Sequence, residues 1–111
     1  MQYGVLYVDD EINNLNSFKA AFRRDFTIFT AQSAKEGRNI LDSNEIGVVI
    51  TDQRMPTMTG IEFLEHILPI YPDTIRILLT GFADINAVMD AINRGQAVSY
   101  THLTLPTILR V

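Results

Sequence analysis

Short apolar runs alternate with helix-like patterns along this chain. The run Val5-Leu6-Tyr7-Val8 is short, partly β-branched and stopped by Asp9, which is typical of a buried strand. Apolar residues then recur at three- and four-residue spacing and predict one stripe along a first helix: Ile12, Leu15, Phe18 and Phe22. The phenylalanines of this region are predicted core residues, namely Phe18, Phe22, Phe26 and Phe29. The chain therefore opens with a strand followed by an amphipathic helix.

The same alternation repeats through the rest of the chain. A second strand is predicted over 26–29, and a third over 46–50, where a near-continuous apolar run leads to Asp52. A fourth strand is predicted over 75–79. The fourth helical stripe consists of Ala87, Val88, Ala91 and Ile92. Each strand is thus followed by a helix.

Polar residues mark where two of these helices begin. Ser33 and Glu36 form the reciprocal cap pattern, in which a hydroxyl and a carboxylate satisfy free amides of a helix start, and Thr59 and Glu62 repeat it. Pro69 cannot donate a backbone hydrogen bond and should kink or end the third helix.

Strands separated by whole helices pair in parallel through right-handed crossovers, with helices on both faces of the sheet. The predicted fold is α/β, a flavodoxin-like doubly wound parallel sheet with strand order 2-1-3-4-5. From residue 97 onward no helical stripe is visible, so the fifth βα unit is predicted to be truncated.

Composition narrows the class of protein further. The 111 residues, 47% of them hydrophobic, fit one folded domain. A net charge of −4 with scattered basic residues argues against direct nucleic-acid binding. The chain has no cysteine, which excludes disulfides and zinc-thiolate sites, and no apolar run long enough to span a membrane. We expect a cytoplasmic protein with no membrane partner.

Three acidic residues are predicted to meet at one edge of the sheet. Asp9 and Asp10 follow the first strand and Asp52 follows the third, so the strand order brings them to the same crevice, with Thr80 on the same rim. Two carboxylates about 4 Å apart repel by roughly 4 kcal/mol at an effective dielectric constant of about 20. Such a cluster favours a bound cation, and an all-oxygen ligand set suits magnesium better than zinc.

A carboxylate beside such an ion can act as a nucleophile toward a phosphoryl group. Asp52 is the better candidate because it stands alone at its strand end, and the Thr80 hydroxyl can donate to a phosphoryl oxygen. A nucleotide site is disfavoured, because Asp9, Asp10 and Glu11 occupy the loop where a glycine-rich phosphate cradle would lie.

Four motifs occur together in one order and spacing: Leu6-Tyr7-Val8-Asp9-Asp10-Glu11, Asp52-Gln53-Arg54-Met55-Pro56, Gly60 and Leu79-Thr80-Gly81. In these motifs residues 3–96 resemble the response-regulator receiver family of two-component systems. The resemblance implies a signalling module that is not an enzyme in its own right and that takes a phosphoryl group from a sensor histidine kinase or phosphotransfer protein. It also implies an output domain that is missing from this chain.

The resemblance assigns a role to each residue of the predicted site. Asp52 is the phosphoacceptor, and Asp10 and Asp52 bind Mg²⁺ through their side chains. Asp9 acts mainly through water, Arg54 contributes its backbone carbonyl to the metal, and Thr80 is the switch hydroxyl. Two other interpretations stay open: a magnesium-dependent phosphohydrolase that uses Asp52 as nucleophile, and a degenerate scaffold that is never phosphorylated.

The end of the chain departs from the family pattern. Members of the family have a lysine that, by counting, belongs near position 103, where this sequence has Leu103. The only lysines of this chain are Lys19 and Lys35, both on predicted helices. Residues 97–111 resemble the translation of a transposase-type sequencing adapter. We therefore divide the chain into an incomplete receiver domain over 1–96 and a non-native tail over 97–111. We expect magnesium binding to survive in this chain and switching to fail.

Overall fold

The computed structural model describes residues 3–80 together with the strand segments 99–104 and 107–110. The elements in chain order are β1 (Gly4–Val8), α1 (Ile12–Phe22), β2 (Thr27–Ala31), α2 (Ala34–Ser43), β3 (Ile46–Asp52), α3 (Gly60–Ile67), β4 (Ile75–Thr80), β5 (Ser99–Thr104) and β6 (Thr107–Arg110). The predicted fourth helix, with its stripe from Ala87 to Ile92, lies outside the described residues. Within the described part of the chain, no helix has the length and apolar character that crossing a bilayer requires.

One six-stranded sheet runs through the molecule in the order β2-β1-β3-β4-β5-β6. The pairs β1/β2, β1/β3, β3/β4 and β4/β5 are parallel, which confirms the predicted strand order and the flavodoxin-like class. β6 pairs with β5 in the antiparallel sense. The sequence did not predict this last strand, which stands in the chain where a complete fifth unit would have a helix.

The centre of the fold lies between the sheet and α3. All five residues of β1 are buried, because β2 and β3 flank its two edges while α1 and α2 pack on it. Its side chains Leu6 and Val8 are fully buried and belong to the same apolar cluster as Phe63 and Leu64 of α3. The apolar run that predicted a strand is therefore the run that anchors α3.

The predicted helix caps are present, with one difference in detail. Thr59 and Glu62 form a complete capping box at the start of α3. At α2 the Ser33 hydroxyl accepts from the Glu36 amide at 3.1 Å, whereas the Glu36 carboxylate accepts from the amide of Gln32, at 3.3 Å. α3 ends at Ile67, two residues before Pro69, as predicted.

The predicted core positions of two phenylalanines are wrong. Phe22 is 41% exposed and Phe26 is 50% exposed. Phe22 is the last residue of α1 and Phe26 precedes β2, which is an edge strand, so both lie at the rim of the sheet. Phe18 is half-buried against Tyr7, with ring centroids 4.5 Å apart, and Phe29 packs against the core.

The close approach of α3 to β3 yields a first prediction. A Cβ added at Gly60 would lie 2.2 Å from the Asp52 backbone oxygen, which cannot move without displacing β3. We expect Gly60→Ala to lower the free energy of unfolding by about 1 to 3 kcal/mol, measured by chemical denaturation.

Gly37→Ala provides the matched control within α2. Its added Cβ would meet only the side-chain ends of Phe63 and Val8, both at 3.1 Å, and the alanine gains about 1 kcal/mol of helix propensity. We expect a small net change. A loss as large as that of Gly60→Ala would contradict the backbone clash as the cause.

Candidate functional site

The acidic trio (Asp9, Asp10 and Asp52) lies at the edge where the parallel strands end. Asp9 directly follows β1 and Asp52 is the last residue of β3. Because Val8 pairs with Thr51 across the two strands, the carboxylates that follow lie side by side. One carboxylate oxygen from each of the three residues lies within 4.8 Å of the others. The structure thus brings the predicted residues together, while their roles stay predictions.

Asp9 is the buried member of the trio, with 2% of its surface exposed. Its Oδ2 accepts hydrogen bonds from the Tyr7 hydroxyl at 2.7 Å and from the Asn14 side-chain amide at 3.1 Å. Its Oδ1 accepts one from the Glu11 backbone amide at 3.0 Å. A carboxylate in an apolar setting requires such donors, so these three contacts allow a charged Asp9 to be buried.

Tyr7 is fixed as a donor by its surroundings. Burial, the hydrogen bond to Asp9 and the negative charges of Asp9 and Asp52 raise the pKa of the Tyr7 hydroxyl far above its usual range. The phenol therefore stays protonated and donates to Asp9 throughout the physiological range.

Asp52 is half-buried, and its charge is disfavoured. Burial first, and then the charge of Asp9, raise the pKa of Asp52 from 3.8 to about 6, while backbone hydrogen bonds from Gln53 and Arg54 partly oppose the shift. At neutral pH the carboxylate is mostly ionised and has an unrelieved repulsion with its neighbours. A cation placed among the three would relieve it.

The donor set fits a hard divalent ion. All three groups are carboxylates from rigid strand ends, and one member is exposed, which leaves room for water ligands. Such a set suits Mg²⁺, which prefers oxygen ligands and retains several waters.

Two cavities reach the acidic trio from different sides. One, of about 390 Å³, is lined by Asp10, Arg54 and Met55 among others. The other, of about 360 Å³, is lined by Asn14, Phe18 and Asp52 among others. The half-buried Asp52 carboxylate is therefore accessible from the second cavity.

Arg54 and Thr80 are the two remaining residues of the predicted site. Arg54 lies in the loop after β3, in the wall of the first cavity. Thr80 is the last residue of β4, and because Asp52 pairs with Leu79, its backbone lies one position beyond Asp52 on the neighbouring strand. The side chain of Thr80 is outside the described part. The roles of both residues stay predictions.

Three contributors were missed from the sequence. Tyr7 and Asn14 donate hydrogen bonds to Asp9, and Gln53 is a buried residue that joins the end of β3 to α3, with 6% of its surface exposed. The Gln53 side-chain oxygen accepts from the Ile61 amide at 2.9 Å, and its backbone oxygen accepts from Gly60 at 3.0 Å. The only signal in the sequence was a polar group inside or beside an apolar run.

Comparisons with known proteins agree with this geometry. The family model described as response regulator receiver domain matches residues 5–100. A crystal structure of a response regulator receiver domain protein from Clostridium thermocellum superposes with a TM-score of 0.81 at 32% identity, covering 95% of this chain and 83% of that one.

Two curated relatives are much longer proteins. The hydrogenase transcriptional regulatory protein HoxA of Cupriavidus necator is 32% identical over 89% of this chain, which spans 20% of HoxA. The C4-dicarboxylate transport transcriptional regulatory protein DctD of Rhizobium meliloti is 40% identical over 63% of this chain, which spans 15% of DctD.

The family match takes in most of the chain and every residue of the acidic trio. This chain belongs to the response regulator receiver domain family.

Proposed function

We propose that this chain is a phosphoacceptor domain that receives a phosphoryl group on Asp52 from a sensor histidine kinase or a phosphotransfer protein, in a magnesium-dependent reaction. The observation that carries the proposal is the acidic trio, with Asp52 at the end of a central strand and a cavity leading to it. Family membership supports the same reaction.

The transfer exchanges one bond for another. An Asp52 carboxylate oxygen attacks the phosphorus of a phosphohistidine, the P–N bond breaks with its electron pair returning to the imidazole, and an acyl phosphate forms. A pKa of about 6 leaves Asp52 mostly ionised at neutral pH, which is the state that attacks. A bound magnesium ion would supply charge stabilisation to the equatorial phosphoryl oxygens.

The other residues serve this step in distinct ways. Asp10, the exposed member of the trio, and Asp52 would hold the ion through their side chains, and Asp9 would act mainly through water. The Arg54 backbone carbonyl would complete the ligand set. Thr80 would donate its hydroxyl to a phosphoryl oxygen after transfer, and its position at the end of β4, next to β3, supports that role.

The partners follow from the family and from the length of the relatives. Because this chain spans only 20% of HoxA, we propose that the parent protein also carries an output domain. The domain acts as a signalling module rather than as an enzyme with its own substrate turnover. Its cytoplasmic location stays a prediction.

We propose, further, that the native sequence ends near Gln96 and that residues 97–111 are non-native, which leaves the domain without the lysine expected near Leu103. The strand, rather than helix, over 107–110 supports this proposal. The family match reaches residue 100, so the codons for 97–100 matter most. Reading the nucleotides beneath residues 97–111 tests it, since codons unrelated to an adapter would end the idea.

Labelling with a small phosphodonor tests the proposed reaction. We expect acetyl phosphate or phosphoramidate with Mg²⁺ to yield about one base-labile phosphoryl group per chain, and Asp52→Asn to abolish it, because the amide is no nucleophile. Intact-mass spectrometry and phosphate release provide the measurement.

Asp73→Asn is the matched control, since Asp73 is exposed before β4, at the opposite edge of the sheet. It should label like the wild type. Unchanged labelling of Asp52→Asn would overturn the acceptor assignment, and many turnovers of a phosphomonoester would indicate the phosphohydrolase instead.

The raised pKa of Asp52 predicts a pH-dependent stability in the metal-free protein. Because the folded pKa is about 6 against an ordinary 3.8, protonation favours the folded state. The stabilisation is fully present below about pH 4 and is lost as the pH rises through about 6. Since the half-exposed group is screened by solvent, we expect a loss of about 1 to 2 kcal/mol relative to Asp52→Asn.

Urea denaturation of both proteins in EDTA between about pH 4 and pH 7.5 measures this difference. Saturating Mg²⁺ should remove most of the wild-type loss at the upper end. A difference that stays constant across the range would show that the pKa of Asp52 is not raised in the folded protein.

A further inference from the structure

We infer that Tyr7 and Asn14 make this site selective for magnesium over calcium, because they occupy the Asp9 oxygen that a bidentate contact would need. This inference rests on the proposed magnesium site and assigns two further residues to it. Neither residue contacts the ion in the inferred arrangement, so both are positioning residues.

The hydrogen bonds of Asp9 leave it little acceptor capacity. An ionised carboxylate offers about four acceptor positions, two on each oxygen. Oδ2 uses both of its positions, one for the Tyr7 hydroxyl and one for the Asn14 amide. Oδ1 uses one for the Glu11 amide. Asp9 can therefore offer one position on Oδ1 to an ion or to an ion-bound water, and none on Oδ2.

This limit acts differently on the two ions. Calcium takes six to eight oxygen ligands in flexible geometry and often binds a carboxylate through both oxygens, whereas magnesium requires a near-octahedral shell of six. An Asp9 restricted to one oxygen suits the smaller shell. It withholds from calcium a ligand that a freely rotating aspartate would provide.

Asp9 cannot turn freely, because the two residues that donate to its Oδ2, Tyr7 and Asn14, are themselves held in place by the fold. Tyr7 lies in the buried strand β1, with its ring 4.5 Å from that of Phe18. Asn14 lies in the first turn of α1, whose Leu15 is 2% exposed. For Asp9 to turn both oxygens to an ion, the buried phenol of Tyr7 would lose its hydrogen-bond partner, and a buried donor without a partner is unfavourable.

Calorimetric titration of the metal-free protein with Mg²⁺ and, separately, with Ca²⁺ tests the inference. The wild type should bind Mg²⁺ more tightly. In the double variant Tyr7→Phe/Asn14→Ala, we expect the ratio of the calcium Kd to the magnesium Kd to fall by about tenfold, the lower range of effects seen when groups behind metal ligands are removed.

The matched control is Tyr3→Phe/Asn13→Ala. Tyr3 is 59% exposed, and Asn13 is an exposed neighbour of Asn14 on α1. This variant should keep the wild-type ratio. A purely structural role of Tyr7 and Asn14 would weaken both ions alike and leave the ratio unchanged, and that result would overturn the inference.

The single variant Asn14→Ala keeps the test decisive if the double variant unfolds. Asn14 is exposed on α1, so its truncation spares the core, and the ratio should still fall by about threefold. A ratio equal to that of the wild type in this folded variant would count against the inference.

Failure here differs from failure of the proposed function. A wild type that prefers magnesium through Tyr7 and Asn14 but is never labelled at Asp52 would leave the inference standing and remove the proposed reaction. A wild type that is labelled but whose ion ratio ignores both residues would do the reverse. A wild type that binds neither ion would overturn both.

Discussion

Like charges held close together at the end of a rigid sheet are the constraint on which this structure depends. Asp9 and Asp52 follow neighbouring strands that are paired residue by residue, so neither can retreat from the other without breaking the sheet. Burial first, and then the charge of Asp9, raise the pKa of Asp52. A cation bound among the three carboxylates would offset this repulsion, which supports the proposed metal site.

The fold keeps that unfavourable cluster intact by two separate means. Asp9 is buried, and a phenol, a side-chain amide and a backbone amide all donate hydrogen bonds to its carboxylate. Asp52 is placed by β3, whose neighbours β1 and β4 are hydrogen-bonded on both sides. Side chains of β1, β3, α3 and β4 belong to one buried apolar cluster that supports the strands. The polar site thus depends on the apolar core beneath it.

Much of this could be predicted from the sequence, because alternation of strands and helices constrains topology strongly. The positions of Asp9, Asp10 and Asp52 followed from the strand order alone, since parallel strands end at one edge. Periodicity identifies the inner side of a helix but not how far the sheet extends beneath it, which is why Phe22 was misjudged. Phe26 was misjudged because an apolar run does not show that its strand lies at the edge of the sheet. β6 was missed because strand pairing in a short segment depends on a partner that local pattern does not reveal.

The supporting polar residues were harder to predict for a related reason. Because Tyr7 is part of an apolar run, the sequence predicts a core aromatic residue at this position. At Gln53 the sequence indicates only an ordinary loop residue. Their contributions depend on where a single hydroxyl or amide points, which is decided by the packing of neighbouring elements. A sequence indicates which charged groups converge, whereas the donors that make their convergence tolerable emerge only with the three-dimensional structure.

Two contacts, one at Gly60 and one at Gln53, couple β3 to α3. A methyl group at position 60 would have no room against the backbone carbonyl of Asp52. The side-chain oxygen of Gln53 accepts a hydrogen bond from the amide of Ile61, the next residue of the helix. We therefore expect β3 and the start of α3 to move together as one rigid unit. A displacement of Asp52 along β3 would therefore be passed directly to the first turn of α3 through these two contacts.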